Sequence, residues 1–325
     1  MTGVADRDLL RGRFRGVLLG LAVGEALGAP AGFCTALQIR ERYGVITEML
    51  GGGRCNLTPG ETSDTTDMTL CLAESLADTG EFAAEDIMTR YLRWFDGCPC
   101  DVGLVVRTVL LSVRSGTHWD LASRRAYEIL GASTGGNGSL MRCAPVGLRY
   151  WQNSDERRRV SHRESTLTHF DRLAGWACVG FNDLLAAAID GDLKASVVGI
   201  ARSLDEEDRR VSAALREALE AEAEEIQSSV SVLDTLLAAL WAVLHTGTFE
   251  EALCFAVNLG GDADTTAAVT GALAGAVYGE DGIPARWLAA LEVRGRSAAV
   301  AERLLELALL DAGTLGHSSP PRGKE

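Results

Sequence analysis

The chain has 325 residues, 47% of them hydrophobic, and a formal net charge of -14 with a pI near 4.9. A field of that sign repels phosphate backbones and anionic lipid, which excludes nucleic acid and membrane surfaces as default partners. An anionic ligand can still be held locally, by helix N-termini or through a metal ion. The apolar residues are chiefly Ala and Leu and aromatics are only 6%, so an all-α fold is expected. With no internal Pro-, Gly- or Ser-rich linker, a single domain over 1–312 is expected, followed by a polar tail, 313–325, without fixed structure.

In chain order, "RDLLRGRFRGVLLGLAVGEALGAPA" opens like a signal peptide, yet Glu25 interrupts its apolar run. Gly16, Gly20, Gly24 and Gly28 recur every fourth residue, on one helix stripe that lets another helix approach closely. The segment reads as a buried core helix. Helical periodicity continues in "TTDMTLCLAESLADTG", with Met68, Cys71, Leu72 and Leu76 on one face. It returns in "AEDIMTRYLRWF", "VGLVVRTVLLSVRSG", "DRLAGWACVGFNDLLAAAIDG" and "VSVLDTLLAALWAVLHTG". The charged stretch "DEEDRRVSAALREALEAEAEEIQ", with its thin stripe Val211, Leu215, Leu219 and Ile226, reads as a solvated surface helix. Near the C-terminus Gly271, Gly275 and Gly279 repeat the four-residue step, so this helix should pack against the first one or share a neighbour with it. No stretch reaches about 18 uninterrupted apolar residues. The eight cysteines are scattered, several within apolar helical patterns, which points to reduced thiols in a cytoplasmic protein. Cys98-Pro99-Cys100 lacks a second pair at zinc spacing and reads as loop chemistry.

Gly-rich polar loops interrupt the helices, and such loops commonly carry the chemistry. In "NLGGDADTTAAVTGALAGAVYG", Asp262, Asp264, Thr265 and Thr266 follow a Gly-Gly turn at a helix mouth. One carboxylate there is explained by capping. Two with adjoining hydroxyls are better explained by a hard divalent cation, which takes several oxygen ligands. An EF-hand is excluded, because the sixth and twelfth positions from Asp262 are Ala267 and Leu273. A haloacid-dehalogenase-type phosphatase, whose Asp-x-Asp ends a parallel strand, stays only a distant rival, because the chain shows no strand–helix alternation. A second cluster, Ser63, Asp64, Thr65, Thr66 and Asp67, stands at another helix mouth, and a shared metal site accounts for both better than two independent caps. His118, His162, His245 and His317 read as surface or core residues, and Trp94, Trp176, Trp241 and Trp287 as core.

From about Gly16 to Trp287 the sequence resembles the ADP-ribosylglycohydrolase family. The resemblance rests on "GVLLGLAVGEALGAP", "PGETSDTTDMTLCLAESL", "CDVG", "GGNGSLMRCAPVGL", "THFD" and "NLGGDADTTAAVTGALAGAVYG" with "IPARW", in the family's order. It implies a compact all-α fold with two Mg2+ or Mn2+ ions in a cleft, hydrolysing ADP-ribose from a modified side chain through an oxocarbenium-like state. Carried over, Ser63, Asp64, Asp262, Asp264 and Thr265 are metal ligands, and the three aspartates are catalytic. Asp101, Gly103, Asn137, Gly138, Ser139, Met141 and His169 bind substrate, and Arg142 is either a phosphate contact or a structural salt bridge.

The chain departs from the family pattern at Thr65 and Gly32, where carboxylates are expected, and has Glu25 for an aspartate. Two divalent ions need roughly four carboxylates to offset their repulsion, and three remain, so one ion should bind and a second is doubtful. Asp67 and Glu61 are the candidate substitutes. Two alternatives follow: an ADP-ribose-binding pseudoenzyme, or a hydrolase of another nucleoside-like N-glycoside.

Overall fold

The structure, a computed structural model, describes residues 4–315. Among these residues there are sixteen α-helices and no strands. The helices are α1 (Val4–Gly28), α2 (Ala36–Tyr43), α3 (Asp64–Thr79), α4 (Ala84–Asp96), α5 (Leu104–Arg114), α6 (Trp119–Leu130), α7 (Ala144–Arg149) and α8 (Ser154–Ser165). They continue as α9 (Arg172–Asp190), α10 (Leu193–Ser203), α11 (Arg209–Glu220), α12 (Val232–His245), α13 (Phe249–Asn258), α14 (Ala263–Tyr278), α15 (Ala285–Ala290) and α16 (Arg294–Leu315). The all-α expectation holds. Helix α16 runs past residue 312, and the remainder of the expected tail, 316–325, lies outside the described residues, as does His317.

The two glycine stripes meet. A Cβ built on Gly16 would collide with the carbonyl oxygen of Gly275, one on Gly20 with that of Gly271, and one on Gly24 with that of Ala267. Rising numbers on α1 therefore meet falling numbers on α14, and the helices run antiparallel, backbone against backbone. Van der Waals contact along such a seam is dense because no side chain holds the axes apart. The pair forms the centre of the core, with α12 and α13 flanking α14 and α16 flanking α1. Antiparallel packing also sets the site: the C-terminal end of α1 lies beside the first turn of α14, so Glu25 and the turn after Gly28 sit next to Asp262 and Asp264.

Two helical stretches, Asp6–Ala31 and Arg172–Asp190, are apolar and long enough to cross a bilayer, and both are mostly buried within the protein. The reading of the N-terminal segment as a core helix agrees with this. The charged segment is corrected in part. Helix α11 ends at Glu220, and Val211 and Leu215 are fully buried, because the helix packs against α12 and α10. Ile226 is buried beyond the helix. A stripe that looked thin in the sequence is a complete contact face.

Candidate active site

Helix α3 begins at Asp64, and its first amides are satisfied from another helix. Glu25 on α1, 1% exposed, accepts hydrogen bonds from Ser63 Oγ at 2.8 Å and Thr65 N at 3.1 Å through Oε1. Its Oε2 accepts from Thr66 N at 3.0 Å. Ser63 makes no side-chain cap bond. Glu25 takes over that task, which leaves the Asp64 carboxylate free of capping and leaves the Ser63 hydroxyl its lone pairs. Burial raises the proton affinity of Glu25, and the hydrogen bonds from Thr66 and Ser63 oppose that rise.

Helix α14 is entered through Gly260 and Gly261, at φ 74° and 63°. Those left-handed conformations favour glycine, and a Cβ on Gly261 would overlap the carbonyl oxygen of Ser228. Asp262 stands at the N-cap without capping: its Oδ2 accepts instead from Asn137 Nδ2 at 2.7 Å. Asn137 is fixed in turn by donating to Thr235 Oγ1 at 2.9 Å. Asp264 Oδ1 accepts from the amide of Thr265 at 2.8 Å.

These elements enclose a cavity of about 540 Å³. It is lined by Asp64, Asp262, Asp264 and Thr265, and by Asp101, Gly103, Asn137, Gly138, Met141 and His169, so the structure brings these sequence-singled residues together. Ser63 faces a small adjoining hollow with Gly32 and Asp264. Ser139 is a correction: it is fully buried behind the cavity wall, and its Oγ accepts from Ser165 Oγ at 2.8 Å. Chain reversal into the short turn Leu140–Arg142 sends Ser139 inward and brings Met141 to the surface of the cavity. Arg142 is structural, with Nε donating to Glu164 Oε1 at 2.8 Å and neither side chain exposed. Neither proposed substitute carboxylate lines the cavity. Asp67 accepts from Trp94 Nε1 at 3.0 Å, and Glu61 accepts from Thr58 N at 2.8 Å. Thr65 turns its hydroxyl to the Met141 sulfur at 3.3 Å.

Burial raises the Asp64 carboxyl well above the usual aspartate range, with further contributions from the charges of Glu25, Asp101, Asp264 and Asp262. Asp264 is raised well above it by burial and by the Asp262 charge, and Asp262 is raised by burial against the Asn137 hydrogen bond. Carboxylates crowded in this way have an electrostatic debt that a proton or a cation can discharge. The donor set of three carboxylates with the Ser63 and Thr265 hydroxyls suits a hard cation such as Mg2+ or Mn2+. Among the described residues no three His, Cys, Asp or Glu side chains already converge as a finished metal cage. An ion would have to draw the carboxylates inward.

Sequence reasoning missed Phe33, Arg54 and Arg107 at the cavity. Arg54 lies 4.9 Å from the Phe33 ring centre and pairs with Asp101 at 3.4 Å. Phe33 adopts φ 59°, a costly conformation for an aromatic residue that turns its ring outward at 53% exposure. The expectation of wholly reduced cysteines is also corrected: Cys55 and Cys100 are bonded, while the other six are free. The bridge and the neighbouring Arg54–Asp101 pair join the two loops at the cavity rim. Local spacing carries no signal for pairing partners 45 residues apart. Reducing this bond should lower stability by about 2–4 kcal/mol, from the freed loop entropy, seen as an earlier denaturant midpoint; an unmoved midpoint would contradict it.

The described residues form an all-helical fold with an acidic cavity between two helix mouths, and comparison with known proteins gives the class to which that fold and site belong. The ADP-ribosylglycohydrolase family model matches residues 6–313. The chain is similar to the ADP-ribosyl-[dinitrogen reductase] glycohydrolase of Rhodospirillum rubrum, 34% identical over 294 residues covering 90% of this chain and 94% of that protein. It is likewise similar to the ADP-ribosylarginine hydrolase Tri1 of Pseudomonas putida strain GB-1, 34% identical and covering 85% of this chain and 73% of that protein. A solved structure, an ADP-ribosylglycohydrolase-related protein complex, superposes with a TM-score of 0.75 at 36% identity, covering 93% of this chain and 99% of that one. The chain belongs to the ADP-ribosylglycohydrolase family and is a glycohydrolase.

Proposed function

We propose that the chain is a divalent-cation-dependent hydrolase that releases ADP-ribose from a modified protein side chain, with ADP-ribosylarginine as the first substrate to test. Two relatives are named for ADP-ribosylarginine or ADP-ribosylated dinitrogen reductase. The observation that carries the reading is the convergence of Asp64, Asp262 and Asp264, from opposite ends of the chain, on one cavity whose 540 Å³ suits a nucleotide sugar. Asp64, Asp262 and Asp264, with Ser63 and Thr265, would hold the cation. Once bound, the ion would orient ribose hydroxyls and offset charge. The chain's own part is to rigidify the donors: Glu25 anchors the mouth of α3, Asn137 aims Asp262, and the backbone seam between α1 and α14 keeps the turn after Gly28 close to Asp264. Charged groups lining the cavity include Arg54 and Arg107, which suit a diphosphate.

The test is calorimetric titration with Mg2+ and ADP-ribose, followed by an assay of ADP-ribose release from ADP-ribosylated arginine. Cation-dependent release supports the proposal. Tight binding without release supports an ADP-ribose-binding protein, a reading favoured by the absence of carboxylates at positions 32 and 65. A single ion is expected per chain. A Cβ at Gly32 would lie 3.2 Å from Asp264 Oδ2, so a glutamate there would start against a like charge. The double variant Gly32→Glu, Thr65→Asp should therefore raise the Mg2+ stoichiometry from one to two and be less stable than the parent without Mg2+. Unchanged stoichiometry would refute the carboxylate account.

A further inference from the structure

We propose that Thr168, held by Arg142, is a positioning residue that locks His169 as the Nε2–H tautomer, so that His169 offers the cavity a hydrogen-bond donor and no base. The argument follows the direction of each hydrogen bond. A guanidinium only donates. Arg142 Nη2 stands 2.8 Å from Thr168 Oγ1 and so occupies one of that oxygen's lone pairs. Arg142 cannot turn away, because its Nε donates to Glu164 Oε1 at 2.8 Å and its Nη1 to the carbonyl oxygen of Gly138 at 3.0 Å. Tyr91 closes the network from the far side, its hydroxyl 3.2 Å from the same Glu164 oxygen.

Thr168 is fully buried, and the remaining partner of its hydroxyl is His169 Nδ1 at 2.8 Å. If Nδ1 carried the proton, the threonine hydrogen would be sealed away without an acceptor, and buried unsatisfied donors are strongly disfavoured. The hydroxyl must therefore donate to Nδ1. Burial and the nearby Arg142 charge push the imidazole down to about 3, so it is neutral and its single proton resides on Nε2. That nitrogen sits at the cavity: a Cβ on Gly138 would lie 2.9 Å from His169 Cε1 and 3.1 Å from Nε2, and both residues line the cavity wall.

Building on the ADP-ribose reading, the ligand group that fits Nε2–H is an acceptor oxygen of the bound diphosphate or ribose. His169 cannot then take a proton from water, since one nitrogen is protonated and the other is engaged. The acidic residues across the cavity are left as the groups able to do so.

Long-range proton–nitrogen NMR of protein labelled at histidine nitrogen reports the tautomer directly, without any ligand. The expected result is a protonated Nε2 and an unprotonated Nδ1 at His169. Thr168→Val should release the lock, giving a mixed or reversed tautomer and roughly ten-fold weaker binding of ADP-ribose, with Mg2+ affinity unchanged. Thr168→Ser should restore both tautomer and affinity, which a purely structural defect would not allow. A wild-type Nδ1–H tautomer overturns the proposal, as does a folded Thr168→Val variant with unaltered tautomer and affinity. If the valine variant fails to fold, the wild-type spectrum decides alone. Failure of wild-type protein to bind ADP-ribose would count against the functional reading and leave the tautomer result standing.

Discussion

Asp264→Asn is expected to abolish cation-dependent hydrolysis while leaving the fold intact. The substitution keeps the size of the side chain and its ability to accept from the Thr265 amide, but removes a charge that the cation needs. Loss of one such ligand forfeits on the order of 4 kcal/mol of electrostatic stabilisation, about a thousand-fold in kcat/KM. Stability should move the other way. In the free protein Asp264 is held well above the usual aspartate range by burial and by Asp262, so a neutral asparagine relieves repulsion. The variant should melt at or above the parental temperature without Mg2+ and lose the stabilisation that Mg2+ confers on the parent. Asp262→Asn should behave similarly, with the added loss of the charge that Asn137 Nδ2 meets at 2.7 Å. Undiminished Mg2+-dependent turnover in either variant would overturn the proposed function.

The second large effect concerns the seam between α1 and α14. Gly24→Ala adds one methyl group, yet that methyl would overlap the carbonyl oxygen of Ala267. The obstacle is backbone within a helix buried on every side, so neither partner can step aside cheaply, and separation of the axes would open voids along the whole contact. A cost of about 3 kcal/mol or more is expected, read as a fall in Tm of roughly 6–12 °C or as insoluble protein. Gly12→Ala on the same helix is the control, because a Cβ there meets nothing within 4 Å. It should be neutral or slightly stabilising, by up to about 1 kcal/mol, since alanine favours helix. Equal melting temperatures for the two variants would show that the seam tolerates a methyl group. The displaced turn after Gly28 should also weaken Mg2+ binding in any Gly24→Ala protein that folds, because that turn packs against Asp264.

Much of this molecule was legible in its one-dimensional pattern. The four-residue glycine steps on α1 and α14 announced two helices able to touch backbones, because the spacing of a helix stripe is a local property. The Gly-Gly turn before Asp262 and the Ser63–Asp64 helix mouth were likewise visible, since turn chemistry and helix entry depend on a handful of adjacent residues. That positions 32 and 65 carry no carboxylate could also be read off directly.

Facing and partnership were decided only by the folded chain. Ser139 stands just before the short turn that carries Met141, and its hydrogen bond from Ser165 on α8 holds it inside the core while Met141 meets the cavity. Glu25 caps a helix 40 positions away, Cys55 finds Cys100 and not Cys98, and Arg142 spends its donors on Glu164, Gly138 and Thr168. Each of these outcomes depends on distances between segments remote in sequence, and no local propensity encodes such distances. The chain alone determined which elements form and where their acidic helix mouths lie; tertiary packing determined which side chains face the cavity.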